Sequence, residues 1–427
     1  MRSSTRLVGT GREGSGVRRV MVVYGTRPEA IKMAPLVIGL TEAALFEPVV
    51  VVTGQHREML DQVHETFGIE PDVDLGIMRP GQTLAELTSR AVCGLDGLVV
   101  AYRPDAVVVQ GDTTTTLAGA LAAFYHRVPV VHLEAGLRSG DLYSPFPEEA
   151  NRSLTSRIAT LHLAPTSGSA DNLLREGVSA ESIVVTGNTV IDALLQSTCT
   201  GHGYREPRLA ALEQDGRRVI VVTAHRRESW GDRMEGIARA LSRLAAAGEG
   251  DVHLVFPMHP NPEVRRALLP RLDRHPNITV TEPLHYGDFA RLLRRSYLVL
   301  TDSGGIQEEA PSLNKPVLVM RDTTERPEAL RTGAARLVGT EEDGIVAGVS
   351  GLLHSPEDYR RMARARNPYG DGRATERVLA ALAHLFGLGP RPVPFGALPE
   401  QDVPQQDYRV VVEVEAASHG VRPVIVR

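Results

Sequence analysis

Short apolar runs alternate along the chain, from Arg18 onward, with stretches in which apolar residues recur at helical spacing. The apolar runs predict strands at 18–24, 48–53, 105–109, 129–133, 160–164, 182–186, 217–223, 252–257, 277–281, 297–301, 316–320 and 335–338. The other stretches of the first half predict helices near 28–42, 56–67, 82–101, 113–126, 147–158, 167–176 and 188–197. Strands joined by helices through short loops are typical of a parallel sheet covered on both faces. The pattern therefore predicts an α/β protein with two doubly wound, Rossmann-like domains.

A polar stretch with Gly and Pro interrupts this alternation and indicates the domain boundary. We assign 18–198 to an N-terminal domain, 199–216 to a linker and 217–369 to a C-terminal domain. A final amphipathic helix is predicted in 370–387, where it can pack back on the N-terminal domain. Residues 1–17 read as a disordered leader, and 388–427 as a Pro-rich irregular tail with a short edge strand near 408–416.

Composition narrows the function classes. The 427 residues are 42% hydrophobic and 23% charged, as in soluble globular proteins. A formal charge of -5 argues against nucleic-acid binding and favours a small anionic ligand held in a local basic pocket. Two cysteines cannot form a disulfide framework, and the apolar runs are far shorter than the roughly 18 residues of a membrane span. We therefore expect a cytoplasmic protein that binds neither membranes nor nucleic acids.

A phosphate cradle is predicted where the apolar run before Asp302 meets Ser303, Gly304 and Gly305. The glycines allow bare backbone to approach a ligand, and the first amides of the following helix face an anion. Glu309, further along that helix, is placed to hold a ribose diol. The alternative is a tight turn with a good N-cap residue.

Strand ends of the first domain also carry charged residues of the kinds that bind and transform a phosphorylated ligand. Arg27 and Lys32 are expected over a helix amino end, with a solvated helix-capping lysine as the alternative. Asp112, Glu134 and Glu148 are expected at one edge of the first sheet, which suits proton transfer beside bound phosphate. Each could instead be a structural ion pair, and Asp112 a plain N-cap.

Basic residues follow three strands of the second domain. His225 is expected to bind phosphate or to move a proton near neutral pH. His259 lies in a rigid turn, where either ligand contact or a structural role fits. Arg326 opens a helix and could bind a phosphate or pair with Glu325 or Glu328.

Several other chemistries lack their motifs. The Gly9–Gly14 segment matches the dinucleotide fingerprint but precedes the first predicted strand, so NAD binding is not predicted there. We find no zinc-type His or carboxylate spacing, no P-loop and no nucleophile elbow. No metal or cofactor is therefore expected.

The chain resembles the bacterial non-hydrolysing UDP-N-acetylglucosamine 2-epimerase family from about Val20 to Phe386. The motifs that carry this resemblance are Gly25–Pro35, Gln55–Leu60, Gly111–Thr116, Glu134–Asp141, Thr186–Asp192, Asp302–Pro311 and Arg321–Glu328. The resemblance implies the two-domain fold of the type B glycosyltransferases, with a cleft between the domains. It also implies interconversion of UDP-GlcNAc and UDP-ManNAc by elimination of UDP to 2-acetamidoglucal and re-addition, with no cofactor.

The resemblance also implies roles for individual residues. The catalytic residues would be Asp112, Glu134, Glu148 and His225. The residues that would hold the pyrophosphate region are Arg27, Lys32, His225, Ser303, Gly304, Gly305 and Arg326. Glu309 would hold the ribose. Phe289 and its neighbours would contact the uracil, together with the backbone of Leu284. His259 is a further candidate for substrate contact, and Asp112 and Glu134 would also contact the sugar.

A regulatory site is implied at Gln55, His56 and Arg57, although Gly81 stands where some members carry an arginine, which puts allosteric activation in doubt. A homodimer and a role in cell-envelope polysaccharide synthesis are expected from the family alone. The alternatives are a hydrolysing epimerase that releases UDP and ManNAc, a glycosyltransferase of the same fold, and a non-catalytic nucleotide-sugar sensor.

Overall fold

The computed structural model describes residues 16–54, 57–198, 203–213, 215–226, 229–248 and 250–396. The described residues up to Phe395 belong to one compact unit. Within it, the strands form two sheets in which every pairing is parallel. The predicted α/β class with two Rossmann-like sheets is confirmed.

The first sheet contains seven described strands in the order β3-β2-β1-β4-β5-β6-β7. They are β1 (Arg18–Tyr24), β2 (Phe46–Val52), β3 (Val73–Asp74), β4 (Ala106–Gln110), β5 (Val130–Leu133), β6 (Leu161–Ala164) and β7 (Ile183–Val185). The helices among and after them are α1 (Arg27–Glu42), α2 (Arg57–Phe67), α3 (Leu84–Tyr102), α4 (Thr114–Tyr125), α5 (Glu148–Ile158), α6 (Ser167–Arg175) and α7 (Thr189–Thr198).

The second sheet contains six described strands in the order β10-β9-β8-β11-β12-β13. They are β8 (Arg218–Thr223), β9 (Val252–Pro257), β10 (Ile278–Thr281), β11 (Leu298–Thr301), β12 (Val317–Val319) and β13 (Ala335–Leu337). The remaining helices are α8 (Pro207–Ala210), α9 (Asp232–Ala247), α10 (Pro262–Leu272), α11 (Tyr286–Arg295), α12 (Gly304–Glu309), α13 (Pro327–Arg331), α14 (Glu342–His354), α15 (Pro356–Ala363) and α16 (Ala374–Leu385).

Each sheet has one place where the strand order reverses direction. In the first sheet the chain builds outward from β1 to β3 and then crosses to β4 on the other side of β1, and in the second it does the same between β8 and β11. At such a place, the helices that follow two adjacent parallel strands lie on opposite faces of the sheet. A crevice therefore forms between them at the carboxyl ends of those strands. The fold therefore prepares a crevice after β1 and β4, and another after β8 and β11.

The sheets are buried on both faces. Valines fill the central strands, as in Val107, Val108 and Val109 of β4, all fully buried. Continuous apolar runs of this kind are expected when helices cover both sides of a parallel sheet. The last helix, α16, packs against α1, and its Val378 and Leu382 belong to the same apolar core as β1.

The structure differs from the sequence-based expectations in a few local features. The predicted strands agree with the observed ones to within two residues, but β3 was missed because a strand of two residues has no measurable alternation. The predicted linker contains α8 and a 3-10 turn at Ala211–Glu213, whose Leu209 and Leu212 are buried. The Gly9–Gly14 segment, most of the leader and the region near 408–416 lie outside the described residues.

No helix in the described part of the chain is long and apolar enough to cross a membrane.

Two buried histidines lie side by side in the first sheet. His132 of β5 pairs in register with His162 of β6, and both side chains are almost wholly inaccessible. Burial lowers the pKa of each imidazole to about 4. Both rings are therefore neutral in the folded protein at neutral pH. The Nε2 atom of His132 lies 2.7 Å from the carbonyl oxygen of Gly111, next to Asp112, so this ring helps to fix the end of β4.

We predict that the free energy of unfolding falls as the pH decreases from about 6.5 to about 4. In that window the unfolded chain takes up protons on these imidazoles and the folded chain does not, so protonation favours unfolding. At about 1.4 kcal/mol per pKa unit, each histidine contributes a loss of about 3 kcal/mol. Urea unfolding followed across this pH range measures the effect.

The matched variants are His162→Leu and His384→Leu, the latter at an exposed histidine of α16. His162→Leu should flatten the pH dependence and His384→Leu should leave it unchanged. Equal slopes in all three proteins would contradict the assignment.

Candidate functional site

The predicted site residues gather at the two crevices. Gly25 and Asp112 follow β1 and β4, and Ala224 and Asp302 follow β8 and β11. Contacts such as that between Arg27 and Leu284 connect the loops of the first sheet with those of the second. The site is therefore built from the carboxyl ends of four strands, two from each sheet.

The turn after β1 depends on Gly25 and Glu29. A Cβ atom on Gly25 would lie 2.2 Å from the hydroxyl of Thr53 and 2.5 Å from that of Thr115, so a larger residue cannot fit. Glu29 is buried and accepts hydrogen bonds from the amides of Gly25 and Thr26 at 3.0 and 2.7 Å and from the Thr113 hydroxyl at 2.6 Å. This carboxylate joins the start of α1 to the start of α4.

Lys32 is neither solvated nor a helix cap. Its ammonium group lies 2.6 Å from both carboxylate oxygens of Glu134. Burial alone would lower the pKa of Lys32, but the charges of Glu134 and Glu308 outweigh it and raise the pKa. Burial alone would likewise raise the pKa of Glu134, and Lys32 brings it below the usual value. Both groups are thus charged, as one buried ion pair.

The backbone at Glu134 is strained. Its φ of 62° lies in the left-handed region, which non-glycine residues rarely adopt. The carboxylate is also bonded by the side-chain amide of Gln110, at the end of β4, and by Asn188 at 3.2 Å. Strain of this kind persists where several contacts hold a residue in place, and it concentrates at functional sites.

Asn188 links this pair to the second sheet. Its side-chain amide donates to Glu134 and, at 3.0 Å, to Glu308 of α12, and the Asn188 residue is buried. Glu308 in turn accepts from the guanidinium of Arg326. Arg326 therefore pairs with Glu308 and not with Glu325 or Glu328, the partners that the sequence suggested.

Asp112 is fixed through its side chain and its backbone. Arg152 of α5 forms an ion pair with its carboxylate, and the Asn151 side chain donates to its carbonyl oxygen at 2.9 Å. The N-cap residue of α4 is Thr113, whose hydroxyl accepts from the amide of Thr116, so Asp112 is not the cap. Glu148 precedes Asn151 by three residues on α5, so the two residues share one face of that helix.

His225 has a buried carboxylate behind it. Its Nδ1 atom lies 3.0 Å from Oδ1 of Asp302, and the side chain is 39% exposed while that of Asp302 is 0% exposed. The His259 ring stacks on the His225 ring with centroids 5.9 Å apart. Both histidines and Ser303 line a cavity of about 230 Å³.

The cradle after β11 has the predicted outline. Ser303 is the N-cap residue of α12, yet its side chain makes no capping hydrogen bond within the described residues. A Cβ atom on Gly304 would lie 2.9 Å from a Glu325 carboxylate oxygen, and one on Gly305 would have the Ser303 hydroxyl as its nearest neighbour, at 4.0 Å. A side chain at Gly304 would therefore displace the Glu325 carboxylate, whereas Gly305 leaves room for a ligand.

Glu309 lies at the end of α12, where it is buried and accepts a hydrogen bond from the Tyr286 hydroxyl at 3.1 Å. Burial raises the pKa of Glu309 to about 7. Arg27 donates to the carbonyl oxygen of Leu284 at 3.2 Å, and burial lowers its pKa. The side chains of Leu284 and Phe289 pack in one apolar cluster of the second sheet.

Some expected site residues cannot be placed. Gln55 and His56 lie outside the described residues, and only the backbone of Arg57, at the start of α2, is described. Sequence reasoning missed Arg152, Asn188 and Glu308, which carry no distinctive spacing of their own. The Thr186–Asp192 and Asp302–Pro311 motifs contain two of them and could have marked them for attention. Within the described ranges, no group of three or more His, Cys, Asp or Glu residues could hold a metal ion.

Comparison with known proteins gives consistent matches across most of the chain. A family model described as UDP-N-acetylglucosamine 2-epimerase matches residues 39–383. The UDP-N-acetylglucosamine 2-epimerase of Escherichia coli K12 is 53% identical over 370 residues, which cover 85% of this chain and 98% of that protein.

Solved structures give the same result. The structure of UDP-GlcNAc 2-epimerase from Neisseria meningitidis bound to UDP-GlcNAc is 45% identical, with a TM-score of 0.76, and the match covers 86% of this chain and 100% of that one. The structure of S. aureus MnaA with UDP is 46% identical, with a TM-score of 0.80, and the match covers 89% of this chain and 100% of that one.

We predict that Glu309→Gln and Glu308→Gln, two neighbouring amide replacements, have opposite effects on stability. The pKa of Glu309 is about 7 in the folded protein, against an ordinary value of 4.5. Between these two pH values the folded chain holds a proton on Glu309 that the unfolded chain has lost. The free energy of unfolding therefore falls as the pH rises from 4.5 to above 7. Glu309→Gln should therefore add up to about 3 kcal/mol to the unfolding free energy at pH 8 and little at pH 4.5.

Glu308→Gln should instead remove on the order of 3 kcal/mol, because it leaves the buried Arg326 cation without its paired anion. Chemical unfolding of both variants at pH 4.5 and pH 8 makes the comparison. A loss of stability in Glu309→Gln at pH 8 equal to that of Glu308→Gln would contradict the prediction.

Proposed function

The chain belongs to the UDP-N-acetylglucosamine 2-epimerase family, and on this basis we propose that it interconverts UDP-GlcNAc and UDP-ManNAc without hydrolysing either. The supporting observation is the carboxylate of Glu134, held at a strained backbone position by Lys32, Gln110 and Asn188 where the two crevices meet. A proton-transfer group needs a fixed position beside a phosphate-binding region, and this arrangement supplies both.

We propose that the pyrophosphate lies against Ser303, Gly304 and Gly305, with Arg27, Lys32, Arg326 and His225 as its cationic partners. In the structure Lys32 and Arg326 are paired with Glu134 and Glu308, so a diphosphate must share or replace these carboxylates as partners. The cations are therefore already desolvated and oriented, which lowers the cost of reorganising them when charge develops on the leaving diphosphate.

The uridine is proposed to lie against the second sheet. Glu309 would accept hydrogen bonds from the ribose hydroxyls in exchange for the one from Tyr286. Phe289 and the backbone of Leu284 would contact the uracil, and because the Leu284 carbonyl accepts from Arg27, its amide is the more available group. His259 is proposed as a further contact, reached through the cavity that it lines with His225.

The chemistry follows from the position of the exchanged hydrogen. The C2–H bond of the sugar is not next to a carbonyl, so removal of its proton is coupled to loss of UDP from C1. The C2–H electron pair then forms the C1=C2 bond, the C1–O pair leaves with the diphosphate, and the product is 2-acetamidoglucal. Re-addition of UDP with protonation at the other face of C2 completes the inversion.

Inversion requires acid-base groups on both faces of C2, and Asp112, Glu134 and Glu148 are the proposed set. Asp112 and Glu134 are fixed by Arg152 and Lys32, and Glu148 shares a face of α5 with Asn151, whose side chain donates to the Asp112 carbonyl oxygen. The ring must be enclosed so that water does not capture the glucal. A hydrolysing enzyme would differ at that step and would release UDP and ManNAc.

A homodimer is also proposed. Among the large apolar residues exposed on the neighbouring helices α3, α4 and α5 are Val100 at 54%, Phe124 at 51%, Tyr125 at 64% and Leu154 at 54% exposure. Contiguous exposed apolar surface is typical of an interface between subunits. A cytoplasmic location, a role in cell-envelope polysaccharide synthesis and a regulatory site at Gln55, His56 and Arg57 stay predictions from the resemblance.

We predict that the protein, incubated with UDP-GlcNAc in deuterated water without metal or NAD, forms UDP-ManNAc that carries deuterium at C2. The proton removed from C2 exchanges with solvent on the acid-base groups, and the nucleotide stays attached after re-addition. NMR of the sugar signals follows both events. Free ManNAc with UDP would favour the hydrolysing alternative, and unchanged substrate that binds would favour the sensor.

Asp112→Asn, Glu134→Gln and Glu148→Gln should each reduce kcat by at least about 100-fold. Glu282→Gln, at an exposed carboxylate paired with Arg265, is the matched control and should turn over normally. Full activity in all three site variants would exclude these residues from the chemistry.

We predict a mass of about twice the 46.3 kDa of one chain in light scattering coupled to size exclusion. The double variant Phe124→Ser and Tyr125→Asp should elute as a monomer, since it places a charge in the apolar contact. Val393→Asp, at an apolar residue that is 70% exposed elsewhere, is the control. A monomeric unmodified protein would contradict the proposal.

A further inference from the structure

Asp302 is the buried carboxylate behind His225. It follows β11 directly, its backbone amide donates to the carbonyl oxygen of Thr223 at the end of β8, and its side chain is 0% exposed. A buried carboxylate costs free energy unless its oxygens are paired, so each of the two oxygens needs a partner.

The two oxygens have different partners. Oδ2 accepts hydrogen bonds from the amides of His225 at 2.7 Å and Arg226 at 2.8 Å. Oδ1 lies 3.0 Å from Nδ1 of the His225 ring. One carboxylate thus holds both the backbone and the imidazole of His225, which fixes the direction of the ring.

We propose that Asp302 is a positioning residue that orients His225, so that the Nε2 side of its ring faces the diphosphate of the bound nucleotide sugar. Asp302 itself contacts no substrate. The inference rests on the proposed function for the identity of the ligand, but the link between Asp302 and His225 can be measured without turnover.

The chemistry of the ring supports this role. With Nδ1 3.0 Å from Oδ1, Nε2 is the ring nitrogen left to face a phosphate oxygen. A doubly protonated imidazole is a cationic donor to phosphate, and a nearby carboxylate stabilises that form. Burial alone would raise the pKa of Asp302, yet His225 and the two amides bring it below its usual value, so an ionised carboxylate lies beside the ring.

The neighbouring ionisable groups do not replace Asp302. The His259 ring stacks on that of His225, and its Nδ1 accepts from the amide of Asn261 at 3.2 Å, so His259 is bonded to its own turn. Arg226 directs its guanidinium to Glu325 at 2.6 Å. Among the described residues packed around His225, Asp302 is therefore the anion in contact with its ring.

The variant that separates charge from shape is Asp302→Asn. The amide oxygen can still accept from the amides of His225 and Arg226, while the amide nitrogen replaces Oδ1 and cannot stabilise an imidazolium. Asp192→Asn is a matched control, because Asp192 is also buried and also accepts from two backbone amides, those of Ala374 and Thr375. Among the described residues no histidine forms an ion pair with it or contributes to its pKa.

The first measurement uses protein labelled with ¹⁵N-histidine and no substrate. The His225 signal is assigned by its loss in His225→Gln, and its titration is followed from pH 5 to pH 9. In Asp302→Asn the midpoint should fall by about one to two pH units, and in Asp192→Asn it should not move. A midpoint in Asp302→Asn equal to that of the unmodified protein overturns the proposal. If Asp302→Asn fails to fold, a His225 signal that does not shift when UDP is added to the unmodified protein overturns it.

The second measurement is a double-mutant cycle. At pH 7.5 Asp302→Asn should lower kcat about 100-fold and weaken UDP binding about 10-fold. In the His225→Gln background the same change should have little further effect, because a residue that acts through the imidazole has nothing left to position. An equal loss in both backgrounds would mean that Asp302 supports the loop alone, and would overturn the proposal.

Failure of the proposed function gives a different result. If the unmodified protein does not convert UDP-GlcNAc, the epimerase assignment fails, while the His225 titration and calorimetry with UDP still test Asp302. If conversion is normal and the His225 midpoint does not respond to Asp302→Asn, the epimerase assignment stands and the role of Asp302 is rejected.

Discussion

A row of charged and polar side chains joins the two sheets, with two carboxylates bridged by an amide at its centre and a cation at each end. Lys32 pairs with Glu134, Asn188 bridges Glu134 to Glu308, and Glu308 pairs with Arg326. Removal of any member would leave a charge or polar group buried without its partner, which costs more than the pair itself contributes. The relative placement of the catalytic candidates in the first sheet and the phosphate candidates in the second is therefore tied to this row.

The cations of this row could exchange their carboxylate partners for a bound ligand. Lys32 and Arg326, two of the cations proposed to bind a diphosphate, are already largely buried and bonded to carboxylates. A bound anion would therefore find oriented donors and not hydrated side chains. The carboxylates in turn compete with the ligand for these cations. Glu309 is different, because burial raises its pKa to about 7 and it is bonded to a neutral phenol. It can become a better acceptor when a ribose diol replaces Tyr286.

Supporting residues account for much of the site. Asp302 lies behind His225, Arg152 beside Asp112 and Gln110 beside Glu134. Each of these supporting residues lies at a strand end or on a helix of the two sheets. The side chains proposed to contact the substrate are therefore held in fixed positions. Fixed geometry of this kind is what proton transfer on a poorly acidic carbon requires.

The sequence by itself determined the fold class, the position of nearly every strand and the residues that gather at the strand ends. It could do so because burial of a parallel sheet on both faces requires continuous apolar runs, and because ligand-binding residues follow those runs directly. Only the tertiary structure decided which charged and polar side chains of the site pair with each other. Arg326 pairs with Glu308 and not with its sequence neighbours, and Asn188 joins carboxylates that are 54 and 120 residues away. Such contacts depend on how two sheets meet, and no local spacing encodes that.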